Sequence, residues 1–121
     1  MINTIVWCVC LLGILIVPIV LLIMGKKFRD NPPKDINGTK GYRTRRSMAS
    51  QEAWDFANKL MGKVYFIVGL CMIPISIVVH LLFVNSPILT LYKETVIAVL
   101  VQAILIIICS IPIEHALKEK F

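Results

Sequence analysis

The chain has 121 residues, 58% of them hydrophobic, a formal net charge of +6 and a mean hydropathy of +0.82. Soluble domains are about 45–50% apolar, so this composition excludes an ordinary water-soluble globule, and the length leaves no room for a separate catalytic domain beside the apolar runs. Ten Lys and Arg residues and four acids lie between Lys26 and Lys63, so the whole charge excess falls in one segment flanked by apolar stretches.

The first predicted element is a span over about 3–25, uncharged from Ile5 to Met24 and interrupted only by Gly13 and Pro18. About 20 such residues cross a bilayer core of roughly 30 Å. A signal peptide would carry its basic residues before the apolar run; here they follow it, which favours an uncleaved span, kinked at Pro18. The basic segment 26–63 opens with breakers at Asn31-Pro32-Pro33 and Asn37-Gly38. Ser50 then reads as an N-cap, with Glu52 in the first turn. Ala53, Trp54, Ala57, Leu60, Met61 and Val64 follow at helical spacing, opposite Asp55, Asn58, Lys59 and Lys63. This pattern predicts an amphipathic helix at the membrane interface, entering the second span directly or through a bend at Gly62. That span covers about 64–84 and contains Pro74 and His80; Asn85-Ser86-Pro87 ends it, and a short loop runs to Glu94. The third span covers about 95–113, with Gln102 and Ser110 as its polar positions, Pro112 at its end and a short amphipathic tail beyond. The predicted fold is therefore a single all-α membrane domain, 1–121, with three transmembrane helices and an interfacial helix before the second.

Positive charge sets orientation. The N-terminal flank has no Lys or Arg and the 85–94 loop only Lys93, against ten bases in 26–63 and Lys118 and Lys120 in the tail. The expected topology is N-terminus outside and C-terminus cytoplasmic in a bacterial cell membrane, with Trp7, Phe83 and Tyr92 near the outer interface. Cys8, Cys10, Cys71 and Cys109 all fall in apolar runs, and Cys8 and Cys10 point to different faces of a helix, so they read as small apolar side chains. No metal or cofactor site is expected. Nucleic acid is not an expected partner either, because the basic segment has no folded reading element.

The densest polar information is Gly41-Tyr42-Arg43-Thr44-Arg45-Arg46-Ser47-Met48, then Ser50, Glu52, Trp54, Ala57 and Asn58. This resembles the signature G-Y-R-T-x-x-S-M-x-S-x-E-x-W-x-x-A-N of the SdpI-type family of small bacterial membrane proteins. The ending from Ile111-Pro112 to Phe121 also resembles that family, so the likeness covers roughly 38–121. It implies immunity toward a secreted peptide toxin, or signalling by sequestering a transcriptional repressor, although the family's named member is longer and has further spans.

The residues themselves make two readings available. Tyr42 and Trp54 can anchor at the head-group layer, Ser47 and Ser50 can cap the helix, and Arg43, Arg45 and Arg46 offer forked donors to phosphate. The segment is thus either a structural anchor or a ligand, lipid or partner site made of Gly41, Tyr42, Arg43, Thr44, Arg46, Ser47, Glu52, Trp54 and Asn58. His80 joins the candidates as an ionisable residue within a span, against the plainer reading of a helix contact. Glu114 and His115 are placed to meet Arg43 or Lys59 as a structural pair. No catalytic motif is present among the protease, hydrolase and P-loop patterns, and no enzyme activity is expected. The alternative to immunity or signalling is a small oligomeric transport or lipid-handling protein, with Arg43, Asn58 and His80 lining a path.

Overall fold

Three long helices form because each apolar run is bounded by strong breakers. The computed structural model describes all residues, 1–121. It contains α1 (Ile2–Asp30), α2 (Gln51–Leu81) and α3 (Ile88–Lys120). In α1, Lys27 and Arg29 occupy the last turn, where the helix dipole favours cations. The Asn31 N–H bonds the Lys27 carbonyl at 2.7 Å before Pro32-Pro33 stops the helix. The Ser50 hydroxyl caps α2 by accepting from the Ala53 N–H at 3.0 Å. All three helices are long and apolar enough to cross a membrane. At 29, 31 and 33 residues they are about 44–50 Å long, so their ends exceed a hydrocarbon core of roughly 30 Å.

Of the two alternatives at Gly62, the chain takes the direct one, as α2 is one continuous helix from Gln51 through Gly62 and Pro74 to Leu81. Other boundaries differ from expectation. The chain between the second and third helices is shorter than predicted, because Asn85-Ser86-Pro87 is the complete breaker and α3 starts at once on Ile88, not at 95. Nor does Pro112 end α3, which continues to Lys120. Proline's fixed φ suits a helix, and its cost is the unmet carbonyl four residues back.

Packing is uneven. α1 and α2 run antiparallel with their backbones in direct approach at three glycines. Gly62 lies against the Phe28 and Arg29 backbone, Gly25 against Gly62 and Phe66, and Gly69 against Pro18 and Leu22. A methyl group at Gly69 would sit 2.8 Å from the Pro18 carbonyl, and at Gly25 or Gly62 closer still. Small residues at seam positions are the means by which apolar helices associate in lipid, where hydrophobic burial supplies no drive. α3 contains no glycine. The main apolar cluster gathers Phe28, Tyr42, Ala53, Ala57, Met61, Ile113 and Leu117 at the end of the bundle that carries residues 31–50. Elsewhere large apolar side chains point outward, and only 21 residues are buried. An outward apolar surface on all three helices is what a lipid-facing bundle requires.

The seam gives a paired expectation. Gly62→Ala should lower the thermal midpoint of the detergent-solubilised protein sharply, because overpacking costs about 1–3 kcal/mol even where side chains alone must move, and here backbone must. Gly13, with nothing within 4 Å of an added methyl, should accept alanine with no loss.

Candidate functional site

The signature segment folds as a self-contained lock on the start of α2. Gly41 has φ +99, the left-handed region that glycine adopts freely. A side chain there would also collide with the Asn58 amide and approach the Trp54 ring to 3.1 Å. The next N–H, of Tyr42, donates to Asn58 Oδ1 at 2.6 Å, while Asn58 Nδ2 donates to the Trp54 carbonyl at 2.9 Å. Trp54 Nε1 donates to the Pro33 carbonyl at 2.8 Å, tying α2 to the strand of chain leaving α1. Thr44 and Ser47 bracket the turn between them. The Thr44 N–H donates to Ser47 Oγ at 2.8 Å, the Ser47 N–H donates to Thr44 Oγ1 at 3.2 Å, and the Ser47 hydroxyl donates to the Tyr42 carbonyl at 2.8 Å. Tyr42 then reaches α3, donating its hydroxyl to Glu114 Oε1 at 2.7 Å.

Burial divides the predicted candidates into two sets. Tyr42, Ser47, Trp54 and Asn58 are buried, the last three at 0% exposure, and their polar atoms are consumed by one another and by the backbone. Arg43, Arg45, Arg46 and Glu52 are exposed around them, with Gly41 and Thr44 between. Three expectations are corrected. Trp54 is not a surface anchor, because its indole N–H finds a carbonyl partner inside the protein. The Tyr42 hydroxyl is not wet; it is held by a carboxylate. Ser47 closes the 44–47 turn, leaving Ser50 alone as the cap of α2. Glu114 meets Tyr42 and, at 3.6 Å, Arg46, and His115 pairs with Glu119 on the same exposed helix face. Neither meets Arg43 or Lys59: Arg43 turns back to the Gly38 carbonyl. The Arg46–Glu114 pair is half exposed and adds little by itself.

His80 belongs to a separate cluster at the opposite end of the bundle. It is 22 residues from Asn58 on the same helix, about 33 Å away, so His80, Arg43 and Asn58 do not line one path. His80 is wholly buried; Nδ1 lies 2.9 Å from Glu94 Oε2 and Nε2 lies 2.9 Å from the Trp7 carbonyl. The Trp7 ring stacks on the imidazole at 4.6 Å and its N–H donates to the His80 carbonyl at 3.1 Å. Because a carbonyl can only accept, Nε2 must carry a proton. One further proton then lies between Nδ1 and the carboxylate, and the pair is neutral overall whichever atom holds it. That neutrality allows two ionisable groups to be buried in a span. Glu94 was not among the expected site residues, yet a signal existed. His80 and Glu94 each stand seven positions from Pro87, and they are the only histidine and the only carboxylate between 64 and 113. An antiparallel hairpin brings such positions face to face.

A third polar contact lies midway. Gln102 of α3 donates through Nε2 to the Ile14 carbonyl at 3.0 Å and to Ser76 Oγ at 3.3 Å. Gln102 is 4% exposed, and its Oε1 has no hydrogen-bond partner.

The fold and its sites define a multi-pass membrane protein of three helices, with a polar lock at one end and a buried His–Glu pair at the other. The chain matches the SdpI/YfhL protein family over residues 34–113, a stretch that takes in Gly41 to Asn58, α2 and most of α3 and stops one residue short of the lock's partners Pro33 and Glu114. It belongs to that family. It is also similar to an uncharacterized protein, YfhL, of Bacillus subtilis (strain 168): 42% identical over 50 residues, which is 41% of this chain and 46% of that protein. The match thus spans about half the length of this curated relative. No solved structure matches the chain.

Two expectations follow from the geometry. Burial first, and then the hydrogen bond to Glu114, push the Tyr42 phenol well above the ordinary tyrosine value of 10.0. A raised folded value means that Tyr42 stabilises the fold below pH 10.0 and that this contribution is lost as pH rises through the folded value. Spectrophotometric titration of parent and Tyr42→Phe should therefore give the same phenolate absorbance on passing pH 10.0, the parent gaining the extra tyrosine only at higher pH or on unfolding. At the other end, Glu94→Gln should melt close to the parent, since its amide can donate to a neutral Nδ1. His80→Leu should cost about 3–5 kcal/mol by leaving a buried carboxylate unpaired.

Proposed function

We propose that this protein is a non-catalytic immunity or signalling protein of the bacterial cell membrane, and that the arginine rim of the lock is its contact with an anionic partner. The observation that carries this reading is the division of the signature. Its buried half is fully hydrogen-bonded within the protein, while Arg43 and Arg45 stand exposed above it without a carboxylate partner. Guanidinium groups held on a rigid base are suited to bidentate recognition of phosphate or carboxylate, as on an anionic lipid head group or an acidic patch of a cytoplasmic regulator. The distribution of basic residues supports an N-terminus outside and the lock in the cytoplasm. In that setting residues 51–63 of α2 lie in the head-group layer, with Lys59 and Lys63 on the polar face. Family membership supports a role in protection from a secreted peptide toxin. A second reading, a small lipid-handling protein, is favoured by a lipid-facing cleft between α2 and α3.

Expression in a toxin-sensitive strain tests the first reading. The parent should protect, and Arg43→Ala combined with Arg45→Ala should abolish protection at unchanged membrane abundance. Trp54→Ala should instead lower abundance, because it removes part of the lock. Full protection by the double arginine variant would show that the rim is not the contact.

A further inference from the structure

The glycines that bring α1 and α2 into backbone contact also gather cations. Gly25 lies against Gly62 and Phe66, and Gly62 against Phe28 and Arg29. Lys26 follows Gly25 as the first charge after the uncharged run of α1, and Lys63 follows Gly62 as the last charge before the uncharged run of α2. Both lysines therefore stand at one crossing, at the edge of the apolar layer. Arg29 is one turn on from Lys26, and its guanidinium lies over the Phe66 ring, 4.4 Å from the centroid. Phe66 is in turn three residues on from Lys63. Lys63 is nine residues from Trp54, half a turn round α2, so this flank of the seam faces away from the lock. Lys26 and Lys63 are exposed and have no salt-bridge partner, and the one carboxylate at the crossing, Asp30, is held by Arg29. Lys59, a turn nearer the start of α2, already sits among Glu52 and Asp55. Three cations thus meet one carboxylate, and the crossing keeps an excess of two positive charges.

We propose that this crossing binds one anionic phospholipid from the leaflet on the lock's side, its phosphate held between Lys26 and Lys63. Arg29 spends Nε and Nη2 on Asp30, which leaves Nη1 to donate to the same phosphate. The surface beyond the cations says why the anion is a lipid. Leu70 is seven residues on from Lys63 and Ile19 seven back from Lys26, two turns along the same helix faces, and they are 52% and 43% exposed. They flank the seam and offer an acyl chain an apolar track that starts at the cations. A soluble phosphate would meet the cations but leave this track empty. A zwitterionic lipid would fill the track but bring its own cation, and so lose most of the attraction. The site shares no residue with the arginine rim and does not depend on the role given to that rim.

The probes are dioleoyl phosphatidylglycerol and dioleoyl phosphatidylcholine, which have the same chains and differ in net head-group charge. Each is offered to the full chain in detergent micelles, and retention is read by native mass spectrometry. The expected result is that phosphatidylglycerol is retained about tenfold better, as one or two basic contacts provide. An excess of glycerol phosphate should not displace it. These two readings use the parent alone and need no variant to fold. Lys26→Gln combined with Lys63→Gln should remove the preference at an unchanged thermal midpoint, both side chains being exposed. Arg43→Ala combined with Arg45→Ala should keep it, which separates this site from the rim. Equal retention of the two lipids by the parent, displacement by glycerol phosphate, a preference that survives the double lysine variant, or its loss in the double arginine variant overturns the proposal.

Discussion

The third helix depends on three hydrogen-bonded contacts made by its own side chains. Glu94 meets His80 near one end, Gln102 meets the Ile14 carbonyl midway, and Glu114 meets Tyr42 at the other end. The reason is the solvent. Between apolar helices in lipid there is no hydrophobic gain on association, so close packing and polar contacts must supply the free energy. α1 and α2 solve this with glycines that bring backbones together. α3 has no glycine and cannot approach in the same way. Its position is therefore set by polar contacts, and for Glu94 and Gln102 the alternative is an unpaired polar atom in hydrocarbon, a cost of several kcal/mol each.

This division of labour explains why the signature has the residues it has. Glu114 can hold α3 only if a donor is presented at a fixed height, and Tyr42 is presented by a backbone that Gly41, Thr44, Ser47 and Asn58 determine. Trp54 and Pro33 fix that backbone to the exit of α1. One compact unit of loop thus joins all three helices. The same rigidity lets the arginines around it act as a placed charged surface instead of a mobile tail.

Much of this was legible in the chain. The three spans follow from runs of uncharged residues, the α2 cap from Ser50, and the family from the pattern at 41–58. The errors have a common origin. Read from sequence, Tyr42 and Trp54 belong at the interface because aromatic residues with one polar atom favour that layer, a rule that holds only when the protein itself offers no partner. A carbonyl at Pro33 and a carboxylate at Glu114 are such partners, distant in sequence by 21 and 72 residues. Likewise Pro112 looks like a terminator when read locally, yet helix-favouring residues continue beyond it, and Leu117 is buried against the cluster at that end.

The pairing of His80 with Glu94 shows what the reading along the chain lacked. Considered one at a time, a histidine in a span suggests a functional group, and a glutamate seven positions past a Pro87 turn suggests a loop end. Together, equidistant from that turn on two antiparallel helices, they are complementary, and their shared proton makes the pair neutral in a place where either charge alone would be costly. The same logic separates Gln102 from every other polar atom within the bundle. Its amide hydrogens are explained by Ile14 and Ser76, as the imidazole is explained by Glu94 and Trp7, but its oxygen is explained by nothing in the chain. In a bundle whose buried side-chain polar atoms are otherwise paired, that oxygen is the one left over.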